Sequence, residues 1–193
     1  MSIITCQIGQ CGNQLGEAVL TKVVQEALGA TETHQLSTLD TFFRFSNSKK
    51  SKTNLLANSL LIDMEPKVID RLLSTKKNGW EYDRKLAICK QEGSGNNWAY
   101  GFNEHGKESG VEILSKLRGL VESLDSLDGI FFLQSLAGGT GSGVGSQILG
   151  LIREEMPDIN IFSTAVLPRF SGEVILQFYN SVFSLATLYN VRT

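Results

Sequence analysis

Two glycine-rich stretches carry the residues best suited to chemistry. The longer is Ser135-Leu136-Ala137-Gly138-Gly139-Thr140-Gly141-Ser142-Gly143-Val144-Gly145. It follows an apolar run, Ile130-Phe131-Phe132-Leu133, and leads into Val144, Ile148, Leu149 and Ile152 at helical spacing. Strand, glycine turn and helix in succession make an anion site. The glycines let main-chain N–H groups approach a phosphate, and the helix start adds free donors and partial positive charge. Thr140 and Ser142 add hydroxyl donors. No lysine follows the glycines as a Walker loop requires. Glycines at 139, 141, 143 and 145 are out of register with G-x-G-x-x-G, read either as a dinucleotide fingerprint or as a kinase loop. A flexible linker is the bland alternative, and the flanking strand and amphipathic helix argue against it.

The second stretch is Gly9-Gln10-Cys11-Gly12-Asn13-Gln14, again a turn with glycine and amides. Cys11 reads as a small packed residue, because its motif supplies no base. Two carboxylates, Asp63 and Glu65, close the apolar run Ser59-Leu60-Leu61-Ile62. They could cap the helix that Pro66 opens. Facing a phosphate loop they suit magnesium, which takes one or two carboxylates plus phosphate oxygens. In Gly93-Ser94-Gly95-Asn96-Asn97, the asparagines serve either a turn or a phosphate. Trp98 reads as core, and the lone His34 and His105 receive no role.

These residues need elements to position them. Residues 2–8 read as a strand, followed by a helix to about Leu28 with Leu15, Val19, Val23 and Ala27 on one stripe. Residues 29–57 are rich in Ser, Thr, Asn and Lys and read as a solvated, mobile insertion. Further strands are expected at 59–63, 86–89, 130–133 and 159–167. Helices are expected from Pro66 to before Asn78, over 111–124, after the long glycine loop as far as Pro157, and over 174–189. Alternation of strands and helices implies an α/β fold with a doubly wound, mostly parallel sheet. Ligands bind such sheets at the carboxyl ends of the strands. There lie residues 9–14, 63–65, 93–97, 137–143 and 168–173, which together specify a nucleotide phosphate site with a hard cation.

The 193 residues suffice for one domain. Hydrophobic content of 41% and charged content of 20% are those of a soluble globular protein. A net charge of -2 argues against a nucleic-acid surface, and no apolar run reaches membrane-spanning length. Cys6, Cys11 and Cys89 form no disulfide or metal pattern, and the N-terminus lacks a signal peptide's features, so a cytosolic setting is expected.

Gly9-Gln10-Cys11-Gly12-Asn13-Gln14-Leu15-Gly16 resembles the opening loop of the tubulins, and Ala137-Gly138-Gly139-Thr140-Gly141-Ser142-Gly143 resembles their signature loop. Gly95-Asn96-Asn97-Trp98-Ala99 lies between them, and the resemblance covers the whole chain. Asp63-Met64-Glu65-Pro66-Lys67-Val68-Ile69, the stretch 93–101, and Gly172-Glu173-Val174-Ile175 look most like the delta type of the family. The resemblance implies a GTP-binding cytoskeletal protein of centrioles, basal bodies and cilia, with GTP or GDP and Mg2+ as cofactors. Other tubulin subunits and centriolar proteins are its implied partners.

By the same resemblance, Gln10 lies near the phosphates and metal, and Glu65 is the magnesium-side acid with Asp63 beside it. Cys11 and Gln14 flank the nucleotide. Asn96, Ser135, Ala137, Gly138, Gly139, Thr140, Gly141, Ser142, Gly143, Glu173 and Gln177 are nucleotide contacts. Two residues depart from the pattern. Ala137 replaces a glycine of many tubulins and requires ordinary backbone angles there. Gln177 replaces a glutamate near the ribose, and its amide can still bond a hydroxyl. The resemblance also implies that residues 1–193 stop short of the family's sixth strand, central helix and later domains, which carry base recognition and the hydrolytic acid. Weak GTP binding, negligible hydrolysis and an unpaired fifth strand are then expected of this stretch. A tubulin fold that acts only as an interaction module, without effective nucleotide binding, is the alternative.

Overall fold

The computed structural model describes residues 1–45, 55–172 and 174–191. The central sheet holds β1 (Ile3–Ile8), β4 (Ser59–Asp63), β6 (Ala87–Cys89), β7 (Gly129–Ser135) and β8 (Asn160–Val166) in the order β6-β4-β1-β7-β8. All four pairings are parallel. Every residue of β4 is buried, and five of the six in β1. Strands covered on both faces read as continuous apolar runs, which is why these were visible in the sequence. The helices α1 (Gly9–Leu28), α3 (Pro66–Ser74), α5 (Lys107–Glu122), α6 (Gly145–Glu155) and α7 (Gln177–Asn190) flank the sheet. Two apolar cores result. One gathers Ile4, Ile8, Ile62, Phe132, Ile148 and Ile152 with Ile113 and Leu117 of α5. The other gathers Leu20, Val24, Leu61, Ile69 and Leu72 around Trp80.

From β1 the chain builds outward to β4 and β6, then returns to the other side of β1 for β7 and β8. Such a reversal opens a crevice at the carboxyl ends of the central strands. The loops after β1, β4 and β7 all lie there, and they are the glycine turn, the carboxylate pair and the long glycine loop.

The stretch 29–57, read as a solvated, mobile insertion, carries regular elements. Its described residues form α2 (Glu32–Phe42), β2 (Phe43–Phe45) and β3 (Leu55–Ala57). β2 runs antiparallel to β3, which pairs parallel with β5 (Trp80–Tyr82) in a second, three-stranded sheet. Phe43, Ala57 and Trp80 anchor that sheet in the second core. The mobile centre expected over 46–54 lies outside the described residues. The helical run that ends in α5 also begins earlier than the apolar stripe at 111–124 implied. A short α4 (Trp98–Tyr100) and a π-helical turn, Gly101–Gly106, lead into it.

β8 forms one edge of the central sheet, as expected, and most of its residues are exposed. Among the described residues no helix is long and apolar enough to cross a membrane.

Candidate functional site

A cavity of about 400 Å³ opens at the crevice. Gln10, Cys11, Gln14, Asp63, Glu65, Asn96, Ser135, Ala137, Gly138, Gly139, Thr140 and Gly141 all line it. Residues drawn from four separate loops are thereby brought into one site.

Close packing of backbone on backbone explains the glycines. Gly9 has φ +71, and a Cβ there would come within 3.0 Å of the Gly141 nitrogen. The two glycine loops therefore touch directly. A Cβ on Gly139 would meet the Ser94 carbonyl at 2.6 Å and the Asn97 nitrogen at 2.8 Å, so the third loop presses on the second. Asn96, at φ +52, is the one non-glycine residue with positive φ among those described. Ala137 thus sits in an ordinary backbone region, which meets the condition set for a Cβ at that position.

Side chains lock the loops together. Asn13 donates to the carbonyls of Gly9 (2.9 Å) and Ile62 (3.0 Å), tying the first loop to β4. Asn180 of α7 donates to the carbonyls of Asn96 (2.9 Å) and Ala137 (2.7 Å) and accepts from the Trp98 N–H (3.0 Å). Asn97 caps α4 by accepting from Ala99 and Tyr100, so it serves the turn, while Asn96 lines the cavity. Trp98 is half-buried, stacked on Phe102 and tilted against Phe183.

Three helical segments begin at this cavity: α1, α3 and the π-helical turn Thr140–Val144 that opens α6. None has a side-chain cap, and none carries an acidic residue in its first turn. Their first N–H groups lack intrahelical partners and concentrate positive potential on one space. Such an arrangement suits an anion.

Asp63 is 4% exposed and accepts from the Met64 N–H at 2.8 Å. Burial pushes its carboxyl up to about 6; its backbone hydrogen bonds oppose this and the Glu65 charge adds to it. Glu65 occupies the N-cap position of α3, yet its carboxylate makes no capping bond. The pair is thus not engaged as a helix cap, and two carboxylates lie beside the anion site. Among the described residues no group of three or more acidic, Cys or His side chains could hold a metal alone. A cation here needs phosphate and water oxygens to complete its shell. Burial also raises the Cys11 thiol, which disfavours the thiolate and agrees with a packed residue.

Three expected contacts, Ser142, Gly143 and Gln177, stand apart from the cavity wall. Ser142 is buried, and its hydroxyl donates to the Gly138 carbonyl inside the loop. Gly143 is buried where a Cβ would strike the Trp98 carbonyl. Gln177 is buried, and its amide donates to the Arg169 carbonyl at 2.9 Å. Glu173 lies outside the described residues. Sequence reasoning placed Ser94 and Gly95 on the rim without assigning them contacts, and it missed Lys67, Val68 and Val174 as lining residues. Lys67 was the most legible of these, as a cation in the first turn of a helix, where positive charge is unfavourable without an anion nearby.

Residues 2–192 match the description "Tubulin/FtsZ family, GTPase domain". This chain belongs to the tubulin/FtsZ family. It is 37% identical to the tubulin delta chain of Homo sapiens over 199 residues, covering 98% of this chain and 43% of that relative. It is 34% identical to the tubulin epsilon chain of Mus musculus, covering 96% and 41%. With the tubulin beta-6 chain of Gallus gallus the identity is 35%, covering 96% and 42%. The delta chain shares the most identity of these three. The chain spans less than half the length of these tubulins.

Proposed function

We propose that the cavity binds GTP or GDP with Mg2+, and that the chain is the nucleotide-binding part of a delta-type tubulin. The observation that carries this reading is the meeting, in one space, of three uncapped helical starts with two carboxylates that cap none of them. The N–H groups of residues 9–11 and 139–141, with the Thr140 hydroxyl, receive the phosphate oxygens. Lys67 adds a positive charge at the rim. Asp63 and Glu65 hold Mg2+, which when bound neutralises phosphate charge. Gln10 lies beside the phosphates and metal, Ser135 and Gln14 border the remainder of the nucleotide, and Ser142 and Gly143 act from behind by fixing the shape of the loop.

Gly141→Val tests the phosphate assignment. The added side chain would strike the Ser135 carbonyl and push the loop into the cavity. Filter binding with labelled GTP should show loss of retention in the variant. Equal retention by variant and unaltered protein overturns the assignment and favours an interaction module without nucleotide.

The delta-type reading extends to the cell. It places the protein in the cytoskeleton at centrioles or basal bodies, with tubulin subunits and centriolar proteins as partners. A tagged protein should mark basal bodies as discrete foci under fluorescence microscopy. Uniform decoration of cytoplasmic microtubules overturns this part alone.

A further inference from the structure

His105, Ser94 and Thr140 form a chain of polar contacts that ends in the cavity. His105 lies in the π-helical turn Gly101–Gly106, is 6% exposed, and packs against the edge of Tyr100 with 4.8 Å between ring centres. Its Nδ1 stands 2.9 Å from Ser94 Oγ, and Ser94 Oγ stands 3.3 Å from Thr140 Oγ1. Ser94 and Thr140 line the cavity, whereas His105 sits behind it. Neither the phosphate loops nor the carboxylate pair accounts for a buried imidazole at this place.

Each hydroxyl carries one hydrogen, and a neutral imidazole carries one N–H. Run head to tail, with Ser94 accepting once and donating once, the chain has two polarities. In the first, Thr140 donates to Ser94 and Ser94 donates to a bare Nδ1. Thr140 then turns only lone pairs toward the cavity. In the second, Nδ1–H donates to Ser94, Ser94 donates to Thr140, and the Thr140 hydrogen is free to donate into the cavity. A bound anion is repelled by the first and gains a charge-assisted hydrogen bond from the second.

We propose that His105 is a positioning residue which, through Ser94, aims the Thr140 hydroxyl hydrogen at the bound phosphate, so that the occupied site holds His105 with Nδ1 protonated. The proposal rests on the nucleotide reading of the cavity.

The sequence has only two histidines, so the test is direct. In the His34→Gln protein, 15N-histidine NMR reads the tautomer of His105 alone. Titration with GDP and magnesium should leave Nδ1 protonated in the bound state. A bare Nδ1 in the bound state overturns the proposal while leaving nucleotide binding intact. Absence of any GDP binding overturns the nucleotide reading, and this proposal with it.

A thermodynamic cycle gives the second measurement. His105→Phe and Ser94→Ala should each weaken GDP binding by about tenfold, the loss of one charge-assisted bond. The double variant should be no weaker than either single one, because each breaks the same chain. His105→Asn, whose amide can donate near the Nδ1 position, should recover most of the loss. Additive losses, or no recovery by asparagine, overturn the proposal in favour of simple packing. Should His105→Phe fail to fold, the NMR measurement, which leaves His105 unaltered, decides.

Discussion

At the scale of single residues, the carboxylate pair is where stability and binding oppose each other. The Asp63 carboxyl titrates near 6 in the fold against an ordinary value of 3.8, chiefly because burial disfavours its charge. An acid raised in this way supports the fold in its protonated form. That support is complete below the unfolded value and is lost as pH rises through about 6. At neutral pH the ionised group costs the fold on the order of 3 kcal/mol, about two units at 1.36 kcal/mol each. In magnesium-free buffer without nucleotide, Asp63→Asn should therefore raise the melting temperature at pH 7, by several degrees for a domain of this size. The gain should shrink toward pH 4. Adding GDP and magnesium should raise the melting temperature of the unaltered protein far more than that of the variant. Scanning calorimetry at both pH values measures both effects, and a variant no more stable than the parent at pH 7 would contradict the argument. Burial also separates Asp63 from Glu65 in role: the first is held rigidly by the Met64 N–H, while the second is exposed at the rim.

At the scale of elements, the loops are held by residues far away in sequence, and α7 is the clearest case. Asn180 bonds two loops that lie 84 and 43 residues before it. Asn180→Ala leaves the Asn96 and Ala137 carbonyls and the Trp98 N–H without these partners in a largely dry place. The cost should be about 2–3 kcal/mol, a fall of roughly 5–10 °C in melting temperature, with weaker nucleotide binding because both loops loosen. Thermal unfolding and GTP titration on one variant measure the two together; a change in stability with unaltered affinity would show that α7 does not govern the loops. This long-range stapling could not be read from sequence, where Asn180 is one polar residue in a helix. The glycine loops were legible because each is continuous in sequence and each sits between a buried strand and a helix. The inner strands β1, β4 and β7 were legible through their burial on both faces, whereas the edge strands β6 and β8 were legible only as short stretches between turn signals. The second sheet was not, since strands of three residues are too short to show a period of two. In α2 no described residue is fully buried, and its stripe is only Leu36, Leu39 and Phe42 among polar residues, too thin to distinguish it from a solvated loop. Ser94 was read only as part of a rim loop and His105 as a lone histidine, because their link is made by the turn that joins them.

At the scale of the whole molecule, the two sides of the central sheet are unlike. The side of β4 and β6 is closed by α3 and the second core, whereas β8 lies bare at the opposite edge. Phe162 of β8 is 60% exposed, and Leu167 just beyond it is equally so. On the α7 side of β8, Ile161, Ala165 and Leu167 line an open apolar cavity of about 560 Å³ with Leu185 and Leu188. Phe178, Val182 and Phe183 extend the exposed apolar surface along α7. Unpaired N–H and C=O groups at a strand edge recruit another strand, and charge or proline on the edge is the usual protection. β8, Asn-Ile-Phe-Ser-Thr-Ala-Val, carries neither. Apolar surface of this extent adds a second drive to association. The chain of 193 residues should therefore self-associate in a concentration-dependent way, and Phe162→Lys should suppress it by placing a solvated charge on the edge. The substitution is remote from the cavity wall, so binding of GTP should be unaltered. Sedimentation velocity across a concentration series would measure the association, with nucleotide titration alongside as the control. A parent chain that stays monomeric at every concentration would show that the edge is protected by its twist or by the neighbouring loop. A lysine variant that associates as strongly as the parent would move the contact from β8 to the apolar face of α7.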